Sequence, residues 1–471
     1  MLVRRAVAPA GALLLALAAC TTSAGGERAA DPSVQASAST EPTPSTEPAP
    51  SAEPAPTQPL VLVIHATRPP VNVTEQVARR VIAGRVDSWA DLGESARPLR
   101  TVESVRAVTR DRDALAVLPA AEVGPSVQAV TVADVDPLRD PSTYPIRTQA
   151  AADPAPVVTM SVVGDIMLGR RVGEIGAEAG DASLALRPMQ RRLAAADVTV
   201  GNLENTLSQA GPPTQGNDSF AAPTWVRAGL RDAGFDVVGL ANNHLGDFGD
   251  DALVETVRLL RAGGFATFGA GRAAWQARQP AIVERSGVRF GFVGFNAIGE
   301  TPEAGSRRPG ADSVSMPPRT GPLDRGELDS FLRRVRALDR RVDVVVVMPH
   351  WGTQYTNVPE TIQRDVADAL VAAGADLVVG GHPHWVQGAS MVDDTLVVHS
   401  LGNFVFDMDF MDETQRGLLL ELTYWGSELK AADFVPYRMD RRFAPRVQSY
   451  DNGIDTLRLM WQTSGPAFSE R

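Results

Sequence analysis

Cysteine and lysine are almost absent from this 471-residue chain. The single cysteine, Cys20, has no partner for an internal disulfide. Lys430 is the only lysine and follows no glycine-rich loop, which excludes a P-loop, whose lysine directly follows its glycines. The same context gives no support to a Schiff-base lysine. The net charge of −11 argues against a nucleic-acid partner, because such proteins carry a basic patch or stripe.

The position of the cysteine indicates where the protein resides. Residues 1–20 read MLVRRAVAPAGALLLALAAC, a signal-peptide layout in which the apolar stretch is too short to span a membrane. The last four residues resemble a bacterial lipobox, in which the cysteine is lipidated and becomes the mature N-terminus. We therefore expect an extracytoplasmic protein, lipid-anchored through Cys20 to the outer face of the cytoplasmic membrane. An ordinary cleaved signal peptide with an incidental cysteine is the alternative.

The following segments predict a tether and a small first domain. Residues 21–58 are nearly all Thr, Ser, Ala, Pro and Glu, which cannot bury enough apolar surface to offset their ordering entropy, so we expect a disordered linker. Residues 59–148 alternate strand-like and helical patterns, which predicts a small α/β accessory domain. Its stretch VARRVIAGRVDSWADLGE resembles a fragment of type II periplasmic phosphate- and sulfate-binding proteins. We interpret His65, alone on its strand, as a packed or surface residue.

From residue 157 onward, short valine-rich runs alternate with helical patterns. Several of the helical patterns close on a glycine that suits a C-terminal cap. The alternation predicts an α/β fold with buried sheet strands over residues 157–425. The segment AIVERSGVRFGFVGF predicts instead two strands joined by a tight Ser-Gly turn, so part of the sheet should be antiparallel. Residues 426–471 are expected to add further strands as an extension.

Polar side chains recur at the ends of these predicted strands. Five of the six histidines lie there with carboxylate and carboxamide side chains, and ligands of α/β folds gather at the carboxyl ends of strands. Mixed nitrogen and oxygen donors suit Mn, Zn, Fe or Co, so the pattern predicts a divalent metal site. A hydrogen-bonded polar cleft that has lost its metal is the alternative. The strand-end residues are Asp165, Asn202, Glu204, Asn242, Asn243, His244, His350, His382, His384 and His399.

Six motifs in order resemble those of the CapA family, which is associated with poly-γ-glutamate capsule synthesis. They are GDIMLGR, GNLENTLS, LANNHLGDFG, PHWGTQY, GGHPHWVQG and HSLGNFVF. The family fold is similar to that of calcineurin-like metallophosphoesterases. The resemblance spans residues 157–425 and implies a four-layer α/β/β/α sandwich with one or two metal ions at the strand ends.

The resemblance also implies a role for each of these residues. His244 matches the general acid, or the residue that holds the leaving-group oxygen. Asn202, His399 and Asn403 are expected to orient the ligands by hydrogen bonds. The implied metal ligands are Asp165, Glu204 in the bridging position, Asn243, His350, His382 and His384.

Two departures from the phosphoesterase pattern bear on this assignment. Met167 stands where those enzymes have a histidine, and thioether sulfur is a poor ligand for a hard ion. Glu204 replaces the shorter bridging aspartate. A single tightly held ion, or two ions of unequal affinity, therefore fits the sequence.

Neighbouring residues suggest how a substrate would be held. Arg170 and Arg171 follow the first motif and offer bidentate contacts to a carboxylate or phosphate, with a solvated pair as the alternative. Histidine is the residue type most often used for proton transfer, which makes His244 a candidate, unless it is a structural histidine held by Asp247. Trp351, Tyr355 and Trp385 flank these motifs, and their side chains either wall the pocket or simply pack in the core.

Three functions follow from these observations. The leading hypothesis is a metal-dependent hydrolase or transferase that acts on an amide or phosphoester in the assembly of poly-γ-glutamate or another anionic polymer. Its partners would be that polymer, the membrane and membrane-bound capsule synthesis proteins. A non-catalytic subunit that binds the polymer through the metal is the second hypothesis. A general extracytoplasmic metallophosphoesterase is the third.

Overall fold

The computed structural model describes residues 57–148 and 155–470, so the predicted signal peptide, Cys20 and nearly all of the predicted linker lie outside it. The described residues form a mixed α/β structure with five sheets, as the sequence predicts. The elements of the N-terminal part are β1 (Gln58–His65), β2 (Asn72–Val73), α1 (Glu75–Ile82), β3 (Arg100–Val102), α2 (Val105–Val108), β4 (Ala114–Pro119), β5 (Val127–Ala129), β6 (Thr131–Val132) and β7 (Arg147–Thr148).

The rest of the chain contains sixteen further strands and eight further helices within the described residues. The strands are β8 (Val157–Ile166), β9 (Val198–Leu203), β10 (Val237–Gly239), β11 (Ala266–Phe268), β12 (Ala270–Gly271), β13 (Ala281–Arg285), β14 (Val288–Val293), β15 (Gly310–Ala311), β16 (Val344–Val347), β17 (Leu377–Val379), β18 (Ala389–Val392), β19 (Thr395–Val398), β20 (Asn403–Val405), β21 (Arg416–Trp425), β22 (Glu428–Met439) and β23 (Pro445–Val447). The helices are α3 (Arg170–Ala179), α4 (Arg187–Leu193), α5 (Val226–Asp232), α6 (Gly249–Ala262), α7 (Ala274–Ala277), α8 (Arg325–Asp339), α9 (Thr361–Ala372) and α10 (Tyr450–Trp461).

Two large sheets carry most of these strands. The first has the order β11-β10-β9-β8-β21-β22-β23, with β20 also beside β8. Its β8 to β11 half is parallel, and β21 to β23 pair antiparallel. The second sheet, β13-β14-β16-β17-β19-β18, is parallel in its centre and antiparallel at both edges. The predicted Ser-Gly hairpin is confirmed, because β13 and β14 pair antiparallel across Ser286 and Gly287, both at positive φ.

Alternate side chains of the strands pack into different apolar clusters. Val158, Met160 and Val162 of β8 enter a core to which both large sheets contribute. Val163, on the opposite face of β8, packs in a second cluster with side chains of α3 to α6. On the second sheet, Val345 and its alternate neighbours pack with α8 and α9. Because side chains of a buried strand point alternately to two faces, the continuous valine runs are explained by apolar partners on both sides.

The predicted helices end at the glycines that the sequence offers. Helix α6 buries Leu253, Val257 and Leu260 on one face, at the spacing of an amphipathic helix. Gly264 follows it at φ 90°, and Gly374 follows α9 at φ 101°. This left-handed backbone favours glycine, which lacks the Cβ that makes it costly.

The N-terminal part packs on the antiparallel edge of the first large sheet. Its main sheet has the order β3-β4-β1-β5, with β7 also beside β1, and it shares an apolar cluster with Trp425 and Ala431. The buried Lys430 donates to the Ala121 carbonyl over 2.9 Å and to Glu428 over 2.6 Å. Tyr450 donates its hydroxyl to the Thr67 carbonyl over 2.8 Å. The division into domains at 59–148, 157–425 and 426–471 stays a prediction.

The C-terminal segment differs from the expectation of strands alone. It supplies β22 and β23, but residues 450–461 form α10. Ser449 caps this helix by accepting from the Asn452 amide over 3.3 Å, and Leu457, Met460 and Trp461 are buried at helical spacing. Within residues 57–148 and 155–470, no helix combines the length and apolar character needed to cross a bilayer.

Candidate metal centre

The strand-end residues of both large sheets meet in one buried place. Asp165 lies at the end of β8, and His382 follows β17 of the other sheet, yet the His382 amide donates to Asp165 Oδ2 over 2.9 Å. Asn202, at the end of β9, donates to Asp165 Oδ1 over 2.8 Å and lies 3.4 Å from His350 Nδ1. Neighbouring parallel strands end at the same edge, which is why residues so distant in sequence converge.

Two groups of side chains place their ligating atoms close enough to hold a metal ion. Glu204, His350 and His382 form one group, and Asp165, Glu204 and His384 form the other. Within each group these atoms lie within 4.8 Å of one another, and all five residues are buried. Glu204 belongs to both groups, so its carboxylate stands between two candidate ion positions.

Three of these five residues have buried ligating atoms without a hydrogen-bond partner among the described residues. Both carboxylate oxygens of Glu204 are buried without a hydrogen-bond partner, as are His382 Nδ1 and His384 Nε2. Buried polar atoms are normally paired, and an unpaired one costs free energy. A divalent cation would satisfy all four atoms, and this donor set of nitrogen and oxygen suits borderline divalent ions.

Burial disfavours the charged form of each of these groups, so it raises the pKa values of the carboxyls and lowers those of the imidazoles. Burial raises the pKa of the Asp165 carboxyl to about 6. Burial, and then the carboxylates of Asp165 and Asp247, holds the pKa of Glu204 well above its ordinary range. Burial lowers the pKa of His384 to about 4 and holds the pKa values of His350 and His382 well below theirs. The imidazoles are therefore neutral, as metal ligation requires.

The backbone that follows β17, residues 381–384, has unusual dihedral angles and a close approach to Asp165. His382 has φ 93° and His384 has φ 58°, left-handed values that are unusual for residues with a Cβ. A Cβ added at Gly381 would lie 2.6 Å from Asp165 Oδ1. Strained backbone of this kind clusters at functional sites, where the surrounding structure holds it in place. The HPH sequence after Gly381 thus turns two imidazoles toward one pocket.

Asparagine side chains contact the candidate ligands: Asn202 contacts Asp165, and Asn403 contacts His384. Asn403 Oδ1 lies 2.8 Å from His384 Nδ1, which directs the other ring nitrogen of His384 toward Glu204 Oε1 at 4.0 Å. Asn243 Oδ1 lies 2.9 Å from His350 Nε2, and the same nitrogen is 3.6 Å from Glu204 Oε1. Asn243 is thus close enough to this group to contribute an oxygen ligand.

His244 is held at the edge of the pocket. Its Nδ1 lies 2.9 Å from Asp247 Oδ2, and its Nε2 lies 3.8 Å from Glu204 Oε1. The Phe220 ring stacks on the imidazole at 4.0 Å. Gln215 donates to Asp247 Oδ1 over 2.5 Å. Sequence reasoning missed Gln215 and Phe220, because they lie in an irregular segment without a motif.

The two arginines after the first motif have carboxylate partners in the chain. Arg170 pairs with Asp407 and lies over the Phe220 ring at 4.3 Å, and Arg171 pairs with Asp409 at 2.8 Å. Arg170 is therefore next to the pocket, but its guanidinium is already engaged. The two aspartates follow the HSLGNFVF motif directly, and this position was the available sequence signal for them.

Other predicted residues lie farther from the ligands. The Met167 side chain is buried in the apolar cluster under α3 to α6, where its sulfur accepts from the Gly169 amide over 3.1 Å. The His399 ring lies 5.9 Å from Trp351, and burial lowers its pKa to about 3. His65, buried in the N-terminal sheet, lies 2.9 Å from the Thr67 hydroxyl, as expected for a packed residue.

Comparison with known proteins agrees with the motif order. A family model described as bacterial capsule synthesis protein PGA_cap matches residues 159–408, just over half of the 471 residues. The chain is 31% identical to "Capsule biosynthesis protein CapA" of Bacillus anthracis over 311 residues, 63% of this chain and 72% of that protein. It is 31% identical to "PGA biosynthesis protein CapA" of Bacillus subtilis over 257 residues, 53% of this chain and 64% of that protein. A "Probable polyglutamine synthesis accessory protein" of Mycobacterium tuberculosis is 29% identical over 349 residues, 63% of this chain and 88% of that protein.

Proposed function

The chain belongs to the family of bacterial capsule synthesis proteins, and we therefore propose that it is a metal-dependent hydrolase or transferase of anionic polymer assembly. Its substrate would be an amide or phosphoester of poly-γ-glutamate or a related polymer, since two relatives are named for capsule or PGA biosynthesis. We also propose that its two large sheets and the helices on their outer faces form the four-layer sandwich of metallophosphoesterases.

The shared position of Glu204 is the observation that carries this proposal. Its two unpaired oxygens lie between two groups of imidazole and carboxylate donors. Asp165, His350, His382 and His384 would hold one or two divalent ions with it. When bound, such an ion polarises a carbonyl or phosphoryl oxygen and lowers the pKa of bound water to about 7.

The remaining side chains would handle the proton and the substrate. The Asp247 carboxylate accepts from His244 Nδ1, which leaves Nε2 facing the pocket as the atom that gives or takes a proton. The Phe220 ring on His244 fixes the plane of the imidazole. Arg170, at the mouth of the pocket, would bind a substrate carboxylate or phosphate when that group replaces Asp407 as its partner.

A second candidate function is polymer binding without turnover. Met167 is buried in an apolar cluster and offers no ligand to either group. One ion position therefore has fewer strong donors than the sequence pattern of the phosphoesterases would give. A weakly held second ion would favour binding of a carboxylate chain over chemistry on it.

Metal analysis combined with turnover tests both functions. We expect one or two transition-metal ions per purified chain by elemental mass spectrometry, and their loss in a His382→Ala, His384→Ala double variant. The His65→Gln variant, which changes a histidine outside the centre, should keep its metal. If neither the purified nor the reconstituted protein binds metal, the proposed function is wrong.

Turnover then separates the enzyme from the binding subunit. Oligomers of γ-glutamate and a phosphodiester would be tested with the parent and with His244→Ala. The enzyme hypothesis expects turnover of one substrate class that is lost in His244→Ala while metal content is kept. Metal-dependent binding of γ-glutamate oligomers without any turnover would establish the second candidate instead.

We propose further that Cys20 is lipidated and holds the protein at the outer face of the cytoplasmic membrane. The support is the order of charged, apolar and small residues in positions 1–20. Metabolic labelling with a fatty acid should mark the parent protein and not a Cys20→Ser variant. If neither protein is labelled, Cys20 is not lipidated and residues 1–20 act as an ordinary secretion signal.

A further inference from the structure

A cleft of about 400 Å³ lies between the N-terminal part and the C-terminal elements β22 and α10. None of the candidate metal ligands lines it. Phe434, Tyr450, Met460 and Trp461 contribute apolar surface to its wall. Small-molecule sites are clefts of this size, mostly apolar, with a few polar groups that fix the ligand.

Three polar side chains in the cleft wall have a hydrogen-bonding atom that no described residue pairs. Asp433 and the exposed Arg139 attract each other, but among the described residues neither side chain has a hydrogen bond or an ion pair. Gln128 Oε1 is buried without a hydrogen-bond partner. The cleft thus offers two unpaired acceptors, one of them an acid, and one unpaired cationic donor.

The structure neutralises the neighbour of Asp433 but not Asp433 itself. Glu421 stands directly opposite Asp433 on the adjacent strand, a pairing of like charges that destabilises a sheet. Arg192 binds both oxygens of Glu421 at 2.7 Å, whereas it makes no hydrogen bond to Asp433 and acts on it only at longer range. Burial raises the pKa of Asp433 to about 7, with Asp136 and Glu421 raising it further and Arg139 and Arg192 opposing them. Asp433 lines the cleft without a hydrogen bond of its own, so its carboxylate is available to a ligand there.

We propose that this cleft binds a small zwitterion of the amino-acid type. Its ammonium group would donate to Asp433 and Gln128 Oε1, and its carboxylate would accept from Arg139. Its apolar body would lie against Phe434 and Trp461. Such a ligand pairs every group that the protein leaves unpaired, whereas an anion alone would face Asp433 and a cation alone would leave Arg139 unused. The inference does not depend on the metal centre or on the function proposed for it.

Isothermal titration of the full chain with each of the twenty L-amino acids tests the proposal. We expect at least one to bind saturably at one per chain. The amine and the carboxylic acid with the same side chain, each lacking the other charged group, should bind at least tenfold more weakly. For leucine these probes are 3-methylbutylamine and 4-methylpentanoate. Inorganic phosphate should not compete.

Variants assign the binding to the cleft. Asp433→Asn and Arg139→Gln should each weaken binding at least tenfold. The matched control is Asp455→Asn, which changes an exposed aspartate of α10 outside the cleft and should leave binding unchanged. Asp433→Asn should also be at least as stable as the parent at pH 8, because it removes a negative charge that lies opposite Glu421, whereas a structural role would make it less stable.

Several results would overturn the proposal. Absence of saturable binding across the amino-acid panel is one. Equal binding of the amine alone would indicate a site for organic cations, and binding of phosphate alone would fit the resemblance of the N-terminal segment to phosphate-binding proteins. Unchanged affinity in Asp433→Asn would place the ligand elsewhere.

Discussion

Replacing Glu204 by glutamine should make the metal-free protein more stable and the metal-loaded protein less stable. The substitution keeps the size of the side chain and removes its charge. Both Glu204 oxygens are buried and unpaired, and the nearby carboxylates of Asp165 and Asp247 disfavour its ionised form. Without a cation the carboxylate destabilises the fold, and with a cation it becomes a ligand.

Asp165 supplies the scale of this effect. Burial raises the pKa of its carboxyl from 3.8 to about 6, and about 1.36 kcal/mol for each of about two pH units gives about 3 kcal/mol. Because the folded pKa is the higher one, this loss of stability develops as pH rises from about 4 to about 6 and is complete at pH 7.5. Glu204 lacks the two hydrogen bonds that Asp165 accepts, so its cost should be at least as large. The unpaired glutamine amide costs about 1–3 kcal/mol, which leaves a net gain of about 0–2 kcal/mol.

Urea unfolding at pH 7.5 measures both sides of this prediction. In EDTA, Glu204→Gln should unfold at higher urea than the parent. With Zn²⁺ or Mn²⁺ at about a thousandfold above its Kd, the parent should gain about 4 kcal/mol and the variant much less. The control is Glu178→Gln, an exposed residue of α3, which should not change either curve. A Glu204→Gln variant less stable than the parent in EDTA would refute the reasoning, because the carboxylate would then have a structural partner.

Three further substitutions test the geometry around the centre and the N-terminal sheet. Gly381→Ala should greatly reduce the metal content, because its Cβ would lie 2.6 Å from Asp165 Oδ1, and elemental analysis would show this. Asn403→Ala should weaken metal binding about 10- to 100-fold by freeing the His384 ring, whereas His399→Phe should leave metal affinity unchanged, and equal effects of the two would contradict the assignment. Burial, helped by a nearby arginine, lowers the pKa of His65 to about 4, so the parent should lose about 3 kcal/mol as pH falls from about 6.5 to 4. Acid unfolding of His65→Gln should lack most of this loss, and identical acid curves would contradict it.

The valine-rich strands, the glycine-capped helices and the gathering of strand-end polar residues could be predicted because each has a local signal. Alternation, capping and motif order act over a few residues, and the ends of parallel strands must meet. Asp247 was named beside His244 from the sequence, but Gln215 and Phe220 could not be predicted there, because they reach it from an irregular segment without periodicity. Helix α10 was not predicted, although Ser449 is a suitable cap, because the strand-like pattern before it was expected to continue to the end of the segment.

His399 shows how a single position on a strand decides a role. It closes β19 and therefore was expected beside the ligands. Val398 faces the core between the sheets, whereas Val397 faces the helices on the other side. Because side chains alternate, His399 follows Val397 to the helix side, where its ring meets Trp351. Strand alternation therefore accounts for the side of the sheet on which the His399 ring lies.

The single lysine makes the opening of the contact between the N-terminal sheet and β22 measurable by proteolysis. A protease specific for lysine has one cleavage site in the whole chain, and it lies on a side chain that is 1% exposed and bonded to the Ala121 carbonyl. Cleavage therefore requires β22 to separate from the N-terminal part, and it yields two fragments that are divided after Lys430. When reclosing is fast relative to cleavage, the rate of their appearance follows the equilibrium population of this open state. The stability of one contact surface becomes measurable on a gel, without any label or substitution.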